Sequence, residues 1–122
     1  SLDIWAAMGL PVTSGDVRDI EPHDLYELIE QGNGSRPMVV DVREPWEYAQ
    51  GHVPGATLVP LGELMGRVSE LDPAKPVAVI CASGSRSQSA AALLGQKGFA
   101  TVYNVRGGTS RWLQSGLPLE RN

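Results

Sequence analysis

Pro76-Val77-Ala78-Val79-Ile80-Cys81-Ala82-Ser83-Gly84-Ser85-Arg86-Ser87 changes character at its midpoint. Its first half is continuously apolar and rich in β-branched residues, the pattern of a short strand buried on both faces of a parallel sheet. A proline at the first position of such a strand removes no ladder hydrogen bond. The second half, Ala82 to Ser87, is small and polar and reads as a tight loop. Gln88 to Lys97 then presents Ala90, Ala91, Leu93 and Leu94 as one helix face that closes at Gly98. Strand, loop and helix follow one another, with Cys81 at the strand's carboxyl end.

Upstream, Val17 to Ile20 is a short alternating run, and Glu21-Pro22-His23-Asp24 opens a helix with proline and acidic residues in its first turn. Leu25, Leu28 and Ile29 recur at helical spacing until Gly32-Asn33-Gly34. Met38-Val39-Val40-Asp41-Val42 is a second apolar strand with a carboxylate near its end. A helix starts at Pro45, irregular chain runs through Gly51 to Ala56, and Thr57 to Pro60 is a brief strand. Leu61 to Leu71 carries a helical period across Gly62 and Gly66. Downstream, Thr101 to Val105 is a strand, Gly107-Gly108 a turn, and Ser110 to Ser115 a last short helix around Trp112. Strands alternating with helices over short connections predict an α/β fold with an open parallel sheet, whose ligands bind beyond the carboxyl ends of the strands. Cys81 occupies such a position.

A chain of 122 residues makes one domain, and 42% hydrophobic with 20% charged residues is a composition that buries a core. A net charge of -4 disfavours binding to a nucleic-acid backbone or an anionic membrane. No stretch approaches the ~20 apolar residues of a membrane span. The start, Ser1-Leu2-Asp3-Ile4-Trp5, lacks the basic residues that open a secretory signal. A cytoplasmic location is the expectation. Cys81 is the single cysteine, so neither an internal disulfide, a Cys-x-x-Cys pair nor a thiolate zinc cluster can form. His23 and His52 form no helical i, i+4 pair. No metal or other cofactor is expected. Any covalent intermediate on Cys81 must be resolved by water or an external nucleophile.

The chemistry concentrates in the loop. Backbone N–H groups of a tight glycine-containing loop that opens a helix converge on its centre, and the helix N-terminus adds about half a positive charge. Arg86 adds a full charge, and together these should lower the pKa of Cys81 and populate its thiolate, the nucleophilic form. Taken alone, Cys81 reads better as a small buried hydrophobe ending a strand, the commoner fate of a lone cysteine there.

Four further segments stand beside the loop in order and spacing: Asp41-Val42-Arg43-Glu44, Tyr48 with His52-Val53-Pro54-Gly55-Ala56, Gly107-Gly108, and Trp112. Together they resemble a rhodanese domain over Val17 to Leu119, leaving residues 1–16 as an N-terminal extension and 120–122 as a tail. The end of the chain resembles the small single-domain bacterial members rather than the long two-domain enzymes. The resemblance implies a five-stranded, mostly parallel sheet flanked by helices on both faces. It also implies sulfur transfer: Cys81 takes a sulfane sulfur from a small anionic donor such as thiosulfate, becomes a persulfide, and passes the sulfur to cyanide or an external thiol. Ala82, Ser83, Gly84, Ser85, Arg86 and Ser87 would bind the donor, with Arg86 orienting its oxyanion. Two other readings are a cysteine phosphatase and a non-catalytic binding or sulfur-carrier module. Phosphatases of this type place five residues between cysteine and arginine, whereas Cys81 and Arg86 enclose four, a smaller cradle suited to one sulfur. An intact loop argues against the non-catalytic module.

The remaining polar residues divide less sharply. Asp41 either supports the loop, by bonding its amides or Arg86, or caps the short helix after Arg43. Arg43 reads as a structural ion pair, His52 as a structural histidine in a Pro-Gly turn, and Trp46 and Trp112 as core or rim packing. Gly32 to Pro37 imitates part of a dinucleotide fingerprint but follows a helix, which excludes a nucleotide site. Leu2 to Pro11, with Ile4, Trp5 and Met8, lies outside the resemblance and either packs on the domain or forms a self-association patch.

Overall fold

The four residues Val77–Ile80 have no exposed surface, and their burial on two faces organises the rest. A computed structural model describes residues 16–31 and 36–121. The five strands are β1 (Asp16–Ile20), β2 (Met38–Asp41), β3 (Thr57–Leu58), β4 (Val77–Ile80) and β5 (Thr101–Val105), and the five α-helices are α1 (Pro22–Gln31), α2 (Pro45–Gln50), α3 (Leu61–Arg67), α4 (Ser85–Gln96) and α5 (Gly108–Gln114). The strands form one sheet in the order β1-β5-β4-β2-β3, and every pairing is parallel. β4 lies at its centre.

Side chains alternate across a strand, so β4 feeds two cores. Val77, Val79 and Cys81 pack with Leu64 of α3 and with Ala90, Ala91 and Leu94 of α4. Ala78 and Ile80 face Leu25 and Ile29 of α1 and Trp112 of α5. Helices therefore cover both faces, as a parallel sheet requires. Among the described residues no helix is long and apolar enough to cross a membrane.

Several boundaries differ from the sequence reading, each for a local reason. α4 begins at Ser85 rather than Gln88 because Gly84, at φ +104°, turns the chain into the helix; Ser85, Arg86 and Ser87 are its first turn. α5 begins at Gly108 rather than Ser110, after Gly107 at φ +71°. The segment predicted as one helix from Leu61 to Leu71 is α-helical only to Arg67; Val68–Glu70 tightens to a 3-10 turn and Leu71 is extended. Trp46, expected in core or rim packing, is 64% exposed, because the short α2 buries none of its residues. Trp112 is fully buried and donates its indole N–H to the Pro118 carbonyl at 2.8 Å. Glu120, assigned to the tail, exchanges backbone hydrogen bonds with His52. The helix stop at Gly32-Asn33-Gly34 and the segment Leu2 to Pro11 lie outside the described residues.

Candidate active site

Cys81 leaves β4 into a loop whose carbonyls are drawn outward. The N-terminal N–H groups of α5 have no partner within their own helix; Thr109 donates to the Cys81 carbonyl at 2.8 Å and Ser110 to the Ala82 carbonyl at 3.0 Å. With those carbonyls pinned, the loop's own N–H groups turn inward. The Gly84 N–H donates to Cys81 Sγ at 3.0 Å, and Ser87 Oγ lies 3.4 Å from the same sulfur. Ser87 is buried and is held by the Gly84 carbonyl, at 3.2 Å, and by Asn104 Oδ1. Asn104 on β5 in turn donates to Asp19 at 3.3 Å. The close approach of α5 needs glycine at 108: a Cβ there would stand 2.3 Å from the Cys81 carbonyl oxygen.

Burial pushes the Cys81 thiol up, but hydrogen bonds from the Ser87 hydroxyl and from the N–H groups of Ser87, Gly84 and Ser83 outweigh it, and the thiol stands below its ordinary value. The sequence attributed this activation jointly to the loop, the helix and Arg86. In the folded chain the loop N–H groups of Ser83 and Gly84 and the Ser87 groups of the first turn of α4 supply it, with a smaller coulombic share from Arg86. A hydrogen-bonded thiolate in a water-poor setting is a nucleophile.

Arg86 was expected to aim at an incoming anion. In the structure its guanidinium closes on Glu47 of α2, with Nη1 at 2.8 Å from Oε1 and Nη2 at 3.0 Å from Oε2. Glu47 holds Arg86 above the usual arginine range against the effect of burial, with a smaller contribution from the Cys81 charge. Conversely, the Arg86 hydrogen bonds outweigh burial and keep the Glu47 carboxyl at about 2. Glu47 was not singled out from sequence: it stands 39 positions from Arg86, and its one local signal is the capping box it completes with Glu44.

Asp41 takes neither role the sequence offered. Its carboxylate accepts from Arg43 Nε at 2.9 Å, Arg43 Nη2 at 2.8 Å and the Arg43 backbone N–H at 3.0 Å, so both oxygens are engaged two residues away, off the loop. Arg43 Nη2 also donates to the Gly51 carbonyl at 2.8 Å. This buried pair ties β2 to the turn before His52. The His52 ring stacks on Tyr48 with centroids 3.7 Å apart, and its Nδ1 lies 2.9 Å from the Tyr48 carbonyl.

Ser83 and Ser85 are exposed at the rim, with Ala82 half-buried. Beside the loop a cleft of about 380 Å³ is lined by Asp19, Ser83, Gly84, Ser85, Gln88, Asn104, Arg106, Gly107 and Arg111. A smaller cavity of about 230 Å³ lies at the opposite ends of the strands, around Arg36, Met38 and Lys75, remote from the cysteine. Among the described residues no three His, Cys, Asp or Glu side chains gather as metal ligands.

A sulfurtransferase of Allochromatium vinosum is 42% identical over 82 residues, covering 67% of this chain and 77% of that protein. The thiosulfate sulfurtransferase GlpE of Actinobacillus pleuropneumoniae is 39% identical over 103 residues, covering 84% and 92%. The crystal structure of a rhodanese-related protein from Thermoplasma volcanium superimposes with a TM-score of 0.78 at 36% identity, covering 86% of this chain and 99% of that one. The Rhodanese-like domain family matches residues 21–115, a span that contains the loop, its α5 anchor and the Glu47–Arg86 pair, and the chain belongs to that family.

Proposed function

We propose that the protein is a sulfurtransferase that carries a sulfane sulfur on Cys81. The Cys81 thiolate attacks the outer sulfur of thiosulfate or a related donor. The S–S bond of the donor breaks, its electron pair leaves with sulfite, and a new S–S bond leaves Cys81 as a persulfide. Cyanide or an external thiol then takes the outer sulfur and returns the thiolate. Two half-reactions of this kind give ping-pong kinetics.

One observation carries the reading: the Gly84 N–H, at the N-cap of α4, donates to Cys81 Sγ at 3.0 Å, and the Ser87 hydroxyl of the first turn lies 3.4 Å from the same sulfur. Preorganised donors of this kind stabilise negative charge at the sulfur before and after transfer. The names of the relatives point the same way. Cys81 has no exposed surface, so the donor's sulfur reaches Sγ only with a local movement of the atoms that cover it. Phosphate-ester hydrolysis is less well served, because the four-residue interval is short and the loop's arginine is occupied by Glu47. We place this chemistry in the cytoplasm, where reducing conditions keep a lone thiol free.

The test is intact-protein mass spectrometry after incubation with thiosulfate and desalting, beside Cys81→Ser, followed by cyanide. Wild type should gain one sulfur, the variant none, and cyanide should remove the sulfur as thiocyanate. A wild type that no sulfane donor loads overturns the reading.

A further inference from the structure

Of the loop side chains from Ala82 to Ser87, Arg86 alone carries charge, and Glu47 takes both of its arms. This is not a surface pair of two swinging side chains. Glu47 Oε1 also accepts the Glu44 backbone N–H at 3.0 Å, so the capping box of α2 fixes the carboxylate where Arg86 meets it. Glu47 is 15% exposed and Arg86 35%, which puts the pair at the rim of the loop, half in solvent. Nearby, Arg106 and Arg111 share Glu21, Asp19 accepts from Asn104, and Glu44 at the N-cap of α2 adds a further negative charge near Arg86. With both arms of Arg86 engaged, the loop offers Cys81 amide donors and no free side-chain cation of its own.

A thiosulfate dianion brings two negative charges to a site that already holds a thiolate. An alkyl persulfide brings at most one. We propose that Glu47 determines donor specificity: by occupying both arms of Arg86 it withholds that cation from the donor, so the site favours low-charge alkyl persulfides over the thiosulfate dianion. This rests on the sulfur-transfer reading above and names the substrate class within it. The persulfide step balances without a co-reactant: the Cys81 thiolate attacks the outer sulfur of R–S–S–H, the R–S bond to it breaks, R–S⁻ leaves, and the proton stays on the transferred sulfur.

Glu47→Gln tests this. The amide still accepts the Glu44 N–H but frees one arm of Arg86 and removes one negative charge. Steady-state transfer to cyanide is measured with thiosulfate and with a small uncharged-chain alkyl persulfide, at low and high salt. For one unit charge acting on a dianion through water, kcat/KM for thiosulfate should rise about fivefold at low salt, through KM rather than kcat. The gain should shrink toward unity in roughly 0.5 M salt and be at most about twofold for the persulfide, through its monoanionic fraction. A destabilised loop cannot raise kcat/KM by lowering KM at unchanged kcat, which separates this outcome from a structural effect. Arg86→Gln supplies a second test: it leaves Glu47 unpaired at the rim and should weaken thiosulfate use several-fold, and adding Glu47→Gln should restore it.

An unchanged or raised KM for thiosulfate in Glu47→Gln, with Cys81 still accepting sulfur, makes Glu47 a brace and overturns the inference alone. The same holds if the double variant is no better than Arg86→Gln. If neither donor loads Cys81 in wild type or variant, the sulfur-transfer reading falls and the inference falls with it.

Discussion

Replacing Gly108 by alanine should damage both the stability of the fold and the reactivity of Cys81, by an amount the geometry sets. The residue stands at φ +58°, and an added Cβ would lie 2.3 Å from the Cys81 carbonyl oxygen, 2.6 Å from the Ala82 carbonyl carbon and 2.7 Å from its oxygen. All three are backbone atoms that cannot swing aside. A side chain in the left-handed region costs roughly 1–2 kcal/mol. Relieving the contact moves the loop off α5 and weakens the bonds from Thr109 and Ser110 to the Cys81 and Ala82 carbonyls, each worth about 1 kcal/mol net. The expected loss is about 3–4 kcal/mol, or roughly 10–15 °C in Tm for a domain of this size. Gly66→Ala is the control. Gly66 lies near the end of α3 with nothing within 4 Å of its Cβ position, so the same change should stabilise by about 0.5–1 kcal/mol. Thermal and urea unfolding measure both, and the rate of Cys81 alkylation in folded Gly108→Ala should fall because the inward N–H groups turn with the carbonyls. A Gly108→Ala protein within 1 kcal/mol of wild type would refute the argument that α5 holds the loop by close backbone approach.

Three further outcomes are expected. Ser87→Ala removes the hydroxyl 3.4 Å from Cys81 Sγ, one of the groups that lower the thiol, a hydrogen bond worth about 1 kcal/mol net; iodoacetamide alkylation near neutral pH should slow about fivefold, and an unaltered rate assigns thiolate stabilisation to the loop amides alone. Arg43→Ala strands the fully buried Asp41 carboxylate and should cost about 3–5 kcal/mol; Arg43→Lys should recover little, since an ammonium cannot bridge both Asp41 oxygens and the Gly51 carbonyl, and a urea-unfolding loss under 1 kcal/mol counts against the pair. Glu47 stands at about 2 in the folded protein against 4.5 ordinarily, so its contribution is complete above the ordinary value and drains away as pH falls toward 2. Glu47→Gln should therefore cost about 1–2 kcal/mol near neutral pH, after allowance for the half-exposed Arg86, and the gap should close in acid; a gap independent of pH contradicts an ionic origin.

Much of the fold was legible because its signals are local. The apolar run Val77 to Ile80 needs both faces covered, the proline and acidic start of α1 needs no tertiary partner, and Cys81 falls at a strand end by counting alone. The boundaries that slipped were decided by backbone angles. Nothing in Ser85-Arg86-Ser87 reveals that Gly84 has already turned the chain into α4, yet that turn brings the Ser87 hydroxyl onto Sγ. Trp46 shows the same limit from the other side: its apolar surface suggested burial, but on six-residue α2 it stands 64% exposed, with no covering partner among the described residues.

The sequence by itself determined the strand–loop–helix order, the place of the single thiol and the small neutral lining of its loop, since these follow from residues adjacent in the chain. Only the tertiary structure decided where the charges go. Asp41 turned to Arg43 rather than to the loop, Arg86 paired with Glu47 on α2, and α5 became the anchor of the loop carbonyls. The physical reason is common to all three: a buried or half-buried polar group takes the partner whose geometry satisfies it, and for Arg86 and for the loop that partner lies tens of residues away in sequence, on an element that only the folded sheet brings near.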